Sequence, residues 1–151
     1  MIKNLVAFFI LATAVQSAFA QLNPVSWSFN SKKISDKTYE VRMTANMQPG
    51  WHLYSQVQPD DAIAIPTDIQ FKNNPLITLN GTIKEVGKME KFKDEKLGVA
   101  ANQYAKKVEF VQIVKLKANV KTNVTGTIEY QTCDDFKCLP PKKVNFNLAV
   151  Q

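Results

Sequence analysis

Apolar residues in this chain recur at every second position, in short segments separated by turn-forming residues. The clearest segment runs from Tyr39 to Met47, where Val41, Met43 and Ala45 complete the alternation. A period of two places apolar side chains on one face of an extended strand, so it predicts half-buried β-strands. After the first twenty residues no segment shows a convincing helical period. The chain is therefore expected to be all-β.

Turn signals divide the chain into about eight or nine short strands. Residues 35–37 and 48–50 are predicted turns, and Asn80-Gly81 predicts a hairpin between 77–79 and 83–86. Residues 88–101 are charged and irregular, which predicts a long loop. Strands at this spacing predict an immunoglobulin-like β-sandwich, although alternation alone fits a barrel equally well.

The first twenty residues have the pattern of a cleaved secretory signal peptide. Lys3 precedes an apolar run at 5–15, and Ala18-Phe19-Ala20 matches a small-x-small cleavage site. The run has about eleven residues, whereas a bilayer span needs roughly 20. We therefore expect residues 1–20 to be removed on export to the periplasm. Residues 21–151 are expected to form one domain without direct membrane insertion.

The basic charge of the chain does not predict a nucleic-acid site. The formal net charge is +6, from 19 lysines and arginines against 13 aspartates and glutamates. The lysines are scattered, and a nucleic-acid interface needs a focused basic patch. We expect a solvated basic surface and no nucleic-acid partner.

The two cysteines, Cys133 and Cys138, are separated by four residues, and two exported cysteines this close in sequence normally pair. Asp134 and Asp135 suit a turn because their carboxylates accept bonds from nearby backbone N–H groups. A four-residue hairpin loop would bring the flanking Cα atoms to about 4.5–5.5 Å, a distance compatible with a disulfide. Pro140 would then stiffen the exit, so the sequence predicts a bridge at a rigid hairpin tip.

The bridge could be a structural staple or a redox switch. A closed loop of about six residues contributes roughly 2 kcal/mol, so this bridge is a weak staple. Lys137 should favour the thiolate of Cys138, while Asp134 should disfavour that of Cys133. Cys138 is therefore the expected attacking thiol. The residues alone leave both interpretations open.

The hairpin at 130–141, YQTCDDFKCLPP, resembles the active-site hairpin of the N-terminal periplasmic domain of DsbD, the bacterial thiol:disulfide interchange protein. Residues 49–54 are similar to the family's glycine-aromatic-x-leucine-tyrosine strand, and residues 94–98 are similar to its acidic cap loop. These marks occur in the family's order, so the resemblance covers 21–151. One residue fewer separates the cysteines here than in the best-known members.

The resemblance implies an immunoglobulin-like sandwich that relays reducing equivalents without a cofactor. A separate membrane electron transporter would be the donor, and periplasmic thioredoxin-like proteins of the disulfide isomerase or cytochrome c maturation type would be acceptors. By the same resemblance, Cys138 forms the mixed disulfide and Cys133 resolves it. The implied flanking and cap residues are His52, Tyr54, Asp94, Glu95 and Leu97.

Other functions have weaker support in the sequence. A non-catalytic, partner-binding sandwich with a structural disulfide is the main alternative. His52 is the only histidine, and no nucleophile motif accompanies it, so a hydrolase is disfavoured. A copper site built on the cysteines and His52 would need a further ligand such as Met47, and no metal is expected. Phe136, at the loop tip, is expected to contact a partner.

Overall fold

The computed structural model describes residues 22–96 and 98–151, and the predicted signal peptide lies outside them. Within these ranges the chain forms strands and turns, and no helix is long and apolar enough to span a bilayer. The strands are β1 (Val25–Ser35), β2 (Thr38–Met47), β3 (His52–Tyr54), β4 (Asp68–Phe71), β5 (Ile77–Asp94), β6 (Val99–Leu116), β7 (Thr122–Tyr130), β8 (Thr132–Cys133) and β9 (Lys142–Val150).

The strands form two antiparallel sheets, which confirms the predicted immunoglobulin-like sandwich. The larger sheet has the order β1-β2-β6-β3-β8, with β5 on the other edge of β6. The smaller sheet has the order β4-β7-β9. The apolar positions of the alternating segments face inward between the sheets, as period-two strands require.

The core lies between the two sheets and joins their inward-facing side chains. Phe110 on β6 is fully buried, and its ring centroid lies 6.0 Å from that of Trp27. Phe146 on β9 contacts Phe29 and Phe71, with centroid distances of 5.9 and 5.3 Å. Each large apolar side chain buried in this way stabilises the fold by about 1.5–3 kcal/mol. The sandwich therefore has a core that is independent of the cysteine bridge.

Residues 88–101 do not form the predicted long loop. Residues 88–94 are the end of β5 and residues 99–101 are the start of β6, with Asp94 opposite Val99. Among the described residues β5 pairs only with β6, and most of its side chains are exposed. A strand shows alternation only where one of its faces is buried, so this edge strand has no period-two signal. Both strands have 18 residues and are longer than predicted.

The predicted hairpin at Asn80-Gly81 is also wrong. Leu79 and Lys84, on either side of this dipeptide, both pair with β6, so they belong to one strand. The register shifts between Asn80 and Lys84, and Gly81 has a positive φ of 72°. Glycine adopts this conformation without a steric penalty, which suits a bulge. The turn signal therefore marks an irregularity inside a long edge strand.

Strand β6 connects the core to the part of the molecule that holds the cysteines. Its C-terminal half pairs with β2, and its residues 103–105 pair with β3. Strand β3 pairs in turn with β8, which ends at Cys133. We call this part of the molecule the cysteine end. It consists of β3, β8, residues 55–67, the tip half of the β5–β6 hairpin and the hairpin at 133–138.

A carboxylate fixes the chain where it leaves β3. Glu85 accepts hydrogen bonds from Ser55 Oγ, Gln56 N and Tyr104 Oη, each at 2.7 Å. Burial and the bond to Glu85 both raise the pKa of Tyr104. A carboxylate that accepts several donors makes strong, charge-assisted bonds. Glu85 thus ties residues 55–56 to both β5 and β6.

Candidate functional site

Cys133 and Cys138 are joined by a disulfide at the end of a hairpin, as predicted. Their Cα atoms lie 4.0 Å apart, and the two residues face each other across an antiparallel bridge. Outside them, Leu139 N donates to Thr132 O at 2.9 Å. The four residues between the cysteines form the predicted tight loop.

Asp134 organises this loop through its side chain. Its Oδ1 atom accepts hydrogen bonds from Phe136 N at 2.8 Å and Lys137 N at 2.7 Å. Its own N–H donates to Lys137 O at 2.9 Å. These backbone donors, aided by the charge of Lys137, hold the pKa of Asp134 below its ordinary value. The carboxylate is therefore a structural acceptor at neutral pH.

The two cysteines differ in their access to solvent. Cys133 is only 4% exposed and packs with Tyr54 and Ala101, whereas Cys138 is exposed. Thiol–disulfide exchange requires a thiolate to reach one sulfur of the bridge, while the other sulfur leaves. In this hairpin an incoming group can reach Cys138, and Cys133 is the protected leaving group.

His52 and Tyr54 lie beside the buried cysteine on β3. His52 pairs with Cys133 on one side and with Ala105 on the other. Residues two apart on a strand share a face, so His52 and Tyr54 lie on one face of β3, while Leu53 between them is buried in the core. Burial raises the pKa of Tyr54, so its hydroxyl is neutral at physiological pH.

A cavity of about 420 Å³ opens next to Cys133. One wall carries His52 and Tyr54, and Phe92 and Asp94 from β5 form part of the rest. The complete lining is His52, Tyr54, Phe92, Asp94, Gln103, Cys133, Asp134 and Asp135. The cavity therefore combines an aromatic wall with carboxylates around the less accessible sulfur.

A family model matches the part of the chain that contains both sheets and the cysteine hairpin. The family model described as "Thiol:disulfide interchange protein DsbD, N-terminal" matches residues 19–149. The chain belongs to this family. The resemblance predicted from the hairpin is confirmed, and a DsbD N-terminal domain with a bonded cysteine pair supports the predicted thiol–disulfide relay.

Solved structures show the same fold. The N-terminal periplasmic domain of ScsB from Proteus mirabilis has a TM-score of 0.61 at 16% identity, over 85% of this chain and 47% of that one. The reduced DsbD N-terminal domain from Neisseria meningitidis has a TM-score of 0.50 at 16% identity, over 81% of this chain and 84% of that one. The complex between the DsbD and PilB N-terminal domains from Neisseria meningitidis has a TM-score of 0.50 at 13% identity, over 85% of this chain and 87% of that one.

These likenesses concern the fold, because the identities are low. This DsbD N-terminal domain spans about half the length of the ScsB chain that it matches. A comparison of its sequence with curated proteins finds no match.

Two of the predicted cap residues of this DsbD N-terminal domain, Asp94 and Glu95, lie at the end of β5. Asp94 lines the cavity, and its Oδ1 accepts a hydrogen bond from Lys96 N at 2.9 Å. Glu95 is exposed, does not line the cavity and lies 3.6 Å from Lys93 Nζ. Leu97, the predicted cap, lies outside the described residues. Phe136 is 94% exposed at the tip of the cysteine hairpin.

Phe92 and Gln103 line the cavity but were not among the predicted site residues. Phe92 and Asp94 are two positions apart on β5 and therefore share a face. This spacing would have placed Phe92 beside Asp94 if residues 88–94 had been recognised as a strand. Gln103 pairs with Tyr54 across the β3–β6 ladder, and no local signal predicts that pairing.

The geometry gives no support to the copper alternative. Met47 is buried in the main core, apart from the small cluster that contains Cys133. Within 22–96 and 98–151, no group of three or more His, Cys, Asp or Glu side chains is arranged to hold a metal ion. The carboxylates that line the cavity are therefore interpreted through their position beside the disulfide.

Proposed function

We propose that this domain is exported and passes reducing equivalents to periplasmic thioredoxin-like proteins through Cys133 and Cys138. The carrying observation is the asymmetry of the bridge, with one buried and one exposed cysteine in a DsbD N-terminal domain. Residues 1–20 would be the signal peptide. The periplasmic location of the similar ScsB domain supports export. Disulfide isomerases and cytochrome c maturation thioredoxins are the proposed acceptors.

The exchange proceeds in two balanced steps. In the dithiol form, the Cys138 thiolate attacks a disulfide of the acceptor, forms a mixed disulfide and releases one acceptor sulfur as a thiolate, which takes a proton from water. The Cys133 thiolate then attacks Cys138 Sγ and releases the second acceptor sulfur. Two electrons have passed to the acceptor, and the domain keeps its bridge. A separate membrane electron transporter would supply the electrons that restore the dithiol.

The neighbouring residues are proposed to control access to the bridge. His52 and Tyr54 flank Cys133, and Asp94, Glu95 and Leu97 belong to the proposed cap. The position of Phe92 on the cavity wall supports its addition to this set, because it lines the cavity together with Cys133. Lys137, which directly precedes Cys138 in sequence, supports Cys138 as the attacking thiolate of the reduced pair.

A redox titration tests whether the bridge is catalytic. The purified domain is equilibrated with glutathione or dithiothreitol buffers, and the bridge is quantified by thiol alkylation. Structural disulfides typically lie below about −300 mV, and catalytic ones are more oxidising. A bridge that stays oxidised at the glutathione poise would identify a structural disulfide and exclude the relay.

A trapping experiment tests the two cysteine roles. The acceptor is a single-cysteine form of the PilB N-terminal domain, whose complex with a DsbD N-terminal domain is known. Its cysteine carries a thionitrobenzoate leaving group. Cys133→Ala should form a stable mixed disulfide through Cys138, whereas Cys138→Ala should react far more slowly. Trapping with Cys138→Ala alone would reverse the roles.

A further inference from the structure

Among the residues that the structure describes, the most exposed large apolar side chains lie at the cysteine end. Phe136 is 94% exposed and Ile63 is 80% exposed. Val57, also in this region, is more exposed than any large apolar side chain outside the cysteine end among the described residues. Apolar side chains clustered on a surface commonly mark a contact with another protein. Their occurrence at the same end of the molecule as the disulfide therefore favours a role in binding another protein.

The segment that carries Ile63 and Ile65 is connected to the cysteine hairpin by side-chain packing and by hydrogen bonds. Ala64, between them, packs inward against the cluster that contains Cys133. Ile65 N donates to Gln131 Oε1 at 3.2 Å, and Gln131 Nε2 donates to Leu139 O at 3.3 Å. Leu139 directly follows Cys138. Two hydrogen bonds thus connect Ile65 to the residue beside the exposed cysteine.

Hydrogen bonds also hold the preceding residues in one conformation. Gln58 Nε2 donates to Ser55 O at 3.0 Å and to Asn102 O at 2.7 Å, and Gln58 Oε1 accepts from Asn102 N at 3.0 Å. Asn102 Nδ2 donates to Val57 O at 2.8 Å. Ala62 then pairs with Ala100 at the start of β6. The exposed apolar side chains are therefore carried by a fixed segment, which lowers the entropy cost of binding.

We propose that Ile63, Ile65 and Phe136 form a docking ledge that binds the apolar surface around the reactive cysteine of the thioredoxin-like partner. The ledge rests on the proposed function, because its occupant is the protein whose sulfur attacks or is attacked by Cys138. Such a protein must cover the surface next to Cys138 to bring its sulfur into reach. Asp60 and Asp61, exposed in the same segment, give the ledge the polar rim that interfaces commonly have.

Exchange rates with a protein and with a small disulfide test the ledge. The reduced, full-length mature domain reacts with the oxidised PilB N-terminal domain or with oxidised glutathione, and second-order rate constants are measured by quenched thiol alkylation. Ile63→Ser combined with Ile65→Ser should slow the protein reaction about tenfold, as for loss of an interface anchor. The glutathione reaction should change less than twofold. Ile63→Leu should retain the protein rate.

Ile34→Ser is the matched control. Ile34 is 50% exposed and lies near the end of β1. The neighbouring start of β2 pairs with the C-terminal end of β6, whereas residues 103–105 of β6 pair with β3 at the cysteine end. It should leave both rates unchanged. An unchanged protein rate in the double variant would overturn the ledge and leave the relay intact. An equal loss in both reactions would also overturn it, because the segment would then act through the hairpin. A wild-type domain that reduces glutathione but not the protein would reject both the ledge and the proposed acceptor class.

Discussion

The sandwich core and the cysteine end are held together by different forces. In the core, apolar side chains from both sheets are almost completely buried. At the cysteine end the buried cluster is small, with Tyr54, Ala101 and Cys133 and the partly buried Ala64. Polar side chains complete that end, above all Glu85 and Gln58. Burial of apolar area therefore stabilises one region, and directed hydrogen bonds fix the other.

This difference separates stability from exchange chemistry. Hydrogen bonds contribute modestly to net stability, but they specify geometry, and they leave the neighbouring apolar side chains free to meet a partner. The core can supply the stability of the whole domain while the cysteine end keeps one sulfur accessible. Substitutions in the two regions should therefore have distinguishable effects on stability and on exchange.

The largest effect on stability is expected in the core. Phe110→Ala should lower the free energy of unfolding by about 3–5 kcal/mol, because it removes a fully buried ring from between the sheets. Urea unfolding followed by tryptophan fluorescence measures this change. Phe110→Leu leaves a smaller cavity and should lose less stability. It replaces the alanine variant in the measurement if that variant does not fold. The rate at which the folded variant exchanges with glutathione should stay close to the wild-type rate. A fall in this rate alongside the loss of stability would contradict the separation of stability from exchange chemistry.

A smaller and more local effect is expected at Glu85. Glu85→Ala removes the acceptor for Ser55, Gln56 and Tyr104, which should destabilise their region by about 2–3 kcal/mol. Amide hydrogen exchange should accelerate at residues 55–58 more than in the core strands. Glu129→Ala is the matched control, because the exposed Glu129–Lys143 pair contributes at most about 1 kcal/mol. Uniform acceleration across the domain would show that the two regions unfold together.

The same division explains which structural features could be predicted from the sequence. Alternation identified β2 because one of its faces is buried in the core. The turn at 48–50 followed from Pro49 and Gly50, and it is present, with Gly50 at φ 79° and Trp51 N donating to Gln48 O. The cysteine hairpin followed from two cysteines separated by turn-forming aspartates. Each of these signals lies within a few residues of the structure that it specifies.

The missed features depend on contacts between distant segments. Strand β5 is mostly exposed, so its charged residues resembled a loop, and Phe92 was consequently not placed beside Cys133. The link from Ile65 through Gln131 to Leu139 joins positions far apart in the chain. No local pattern predicts such a link, since it requires the fold to bring residue 65 next to residue 131.

The disulfide should contribute less to stability than the core. Reducing it opens a loop of about six residues, which should lower the free energy of unfolding by roughly 2 kcal/mol. Urea unfolding of the wild-type domain with and without dithiothreitol measures this difference, and the Cys133→Ala, Cys138→Ala double variant provides the control without reductant. A loss as large as that of Phe110→Ala would favour a structural bridge and weaken the relay proposal.

The smallest effect is expected from the charge of Asp134 and should appear only in acid. Backbone bonds from Phe136 and Lys137 depress the folded pKa of this carboxyl below its ordinary 3.8. A depressed pKa means that the charged form stabilises the hairpin above the ordinary pKa, and this contribution is lost as pH falls through the folded value. NMR titration of the Asp134 carboxyl carbon should give a pKa below 3.8, and the same carboxyl in the urea-unfolded chain is the reference. Asp134→Asn keeps an oxygen acceptor and should preserve the hairpin at neutral pH without the acid transition. If Asp134→Asn opened the hairpin as fully as Asp134→Ala, the charge rather than the acceptor geometry would hold the loop.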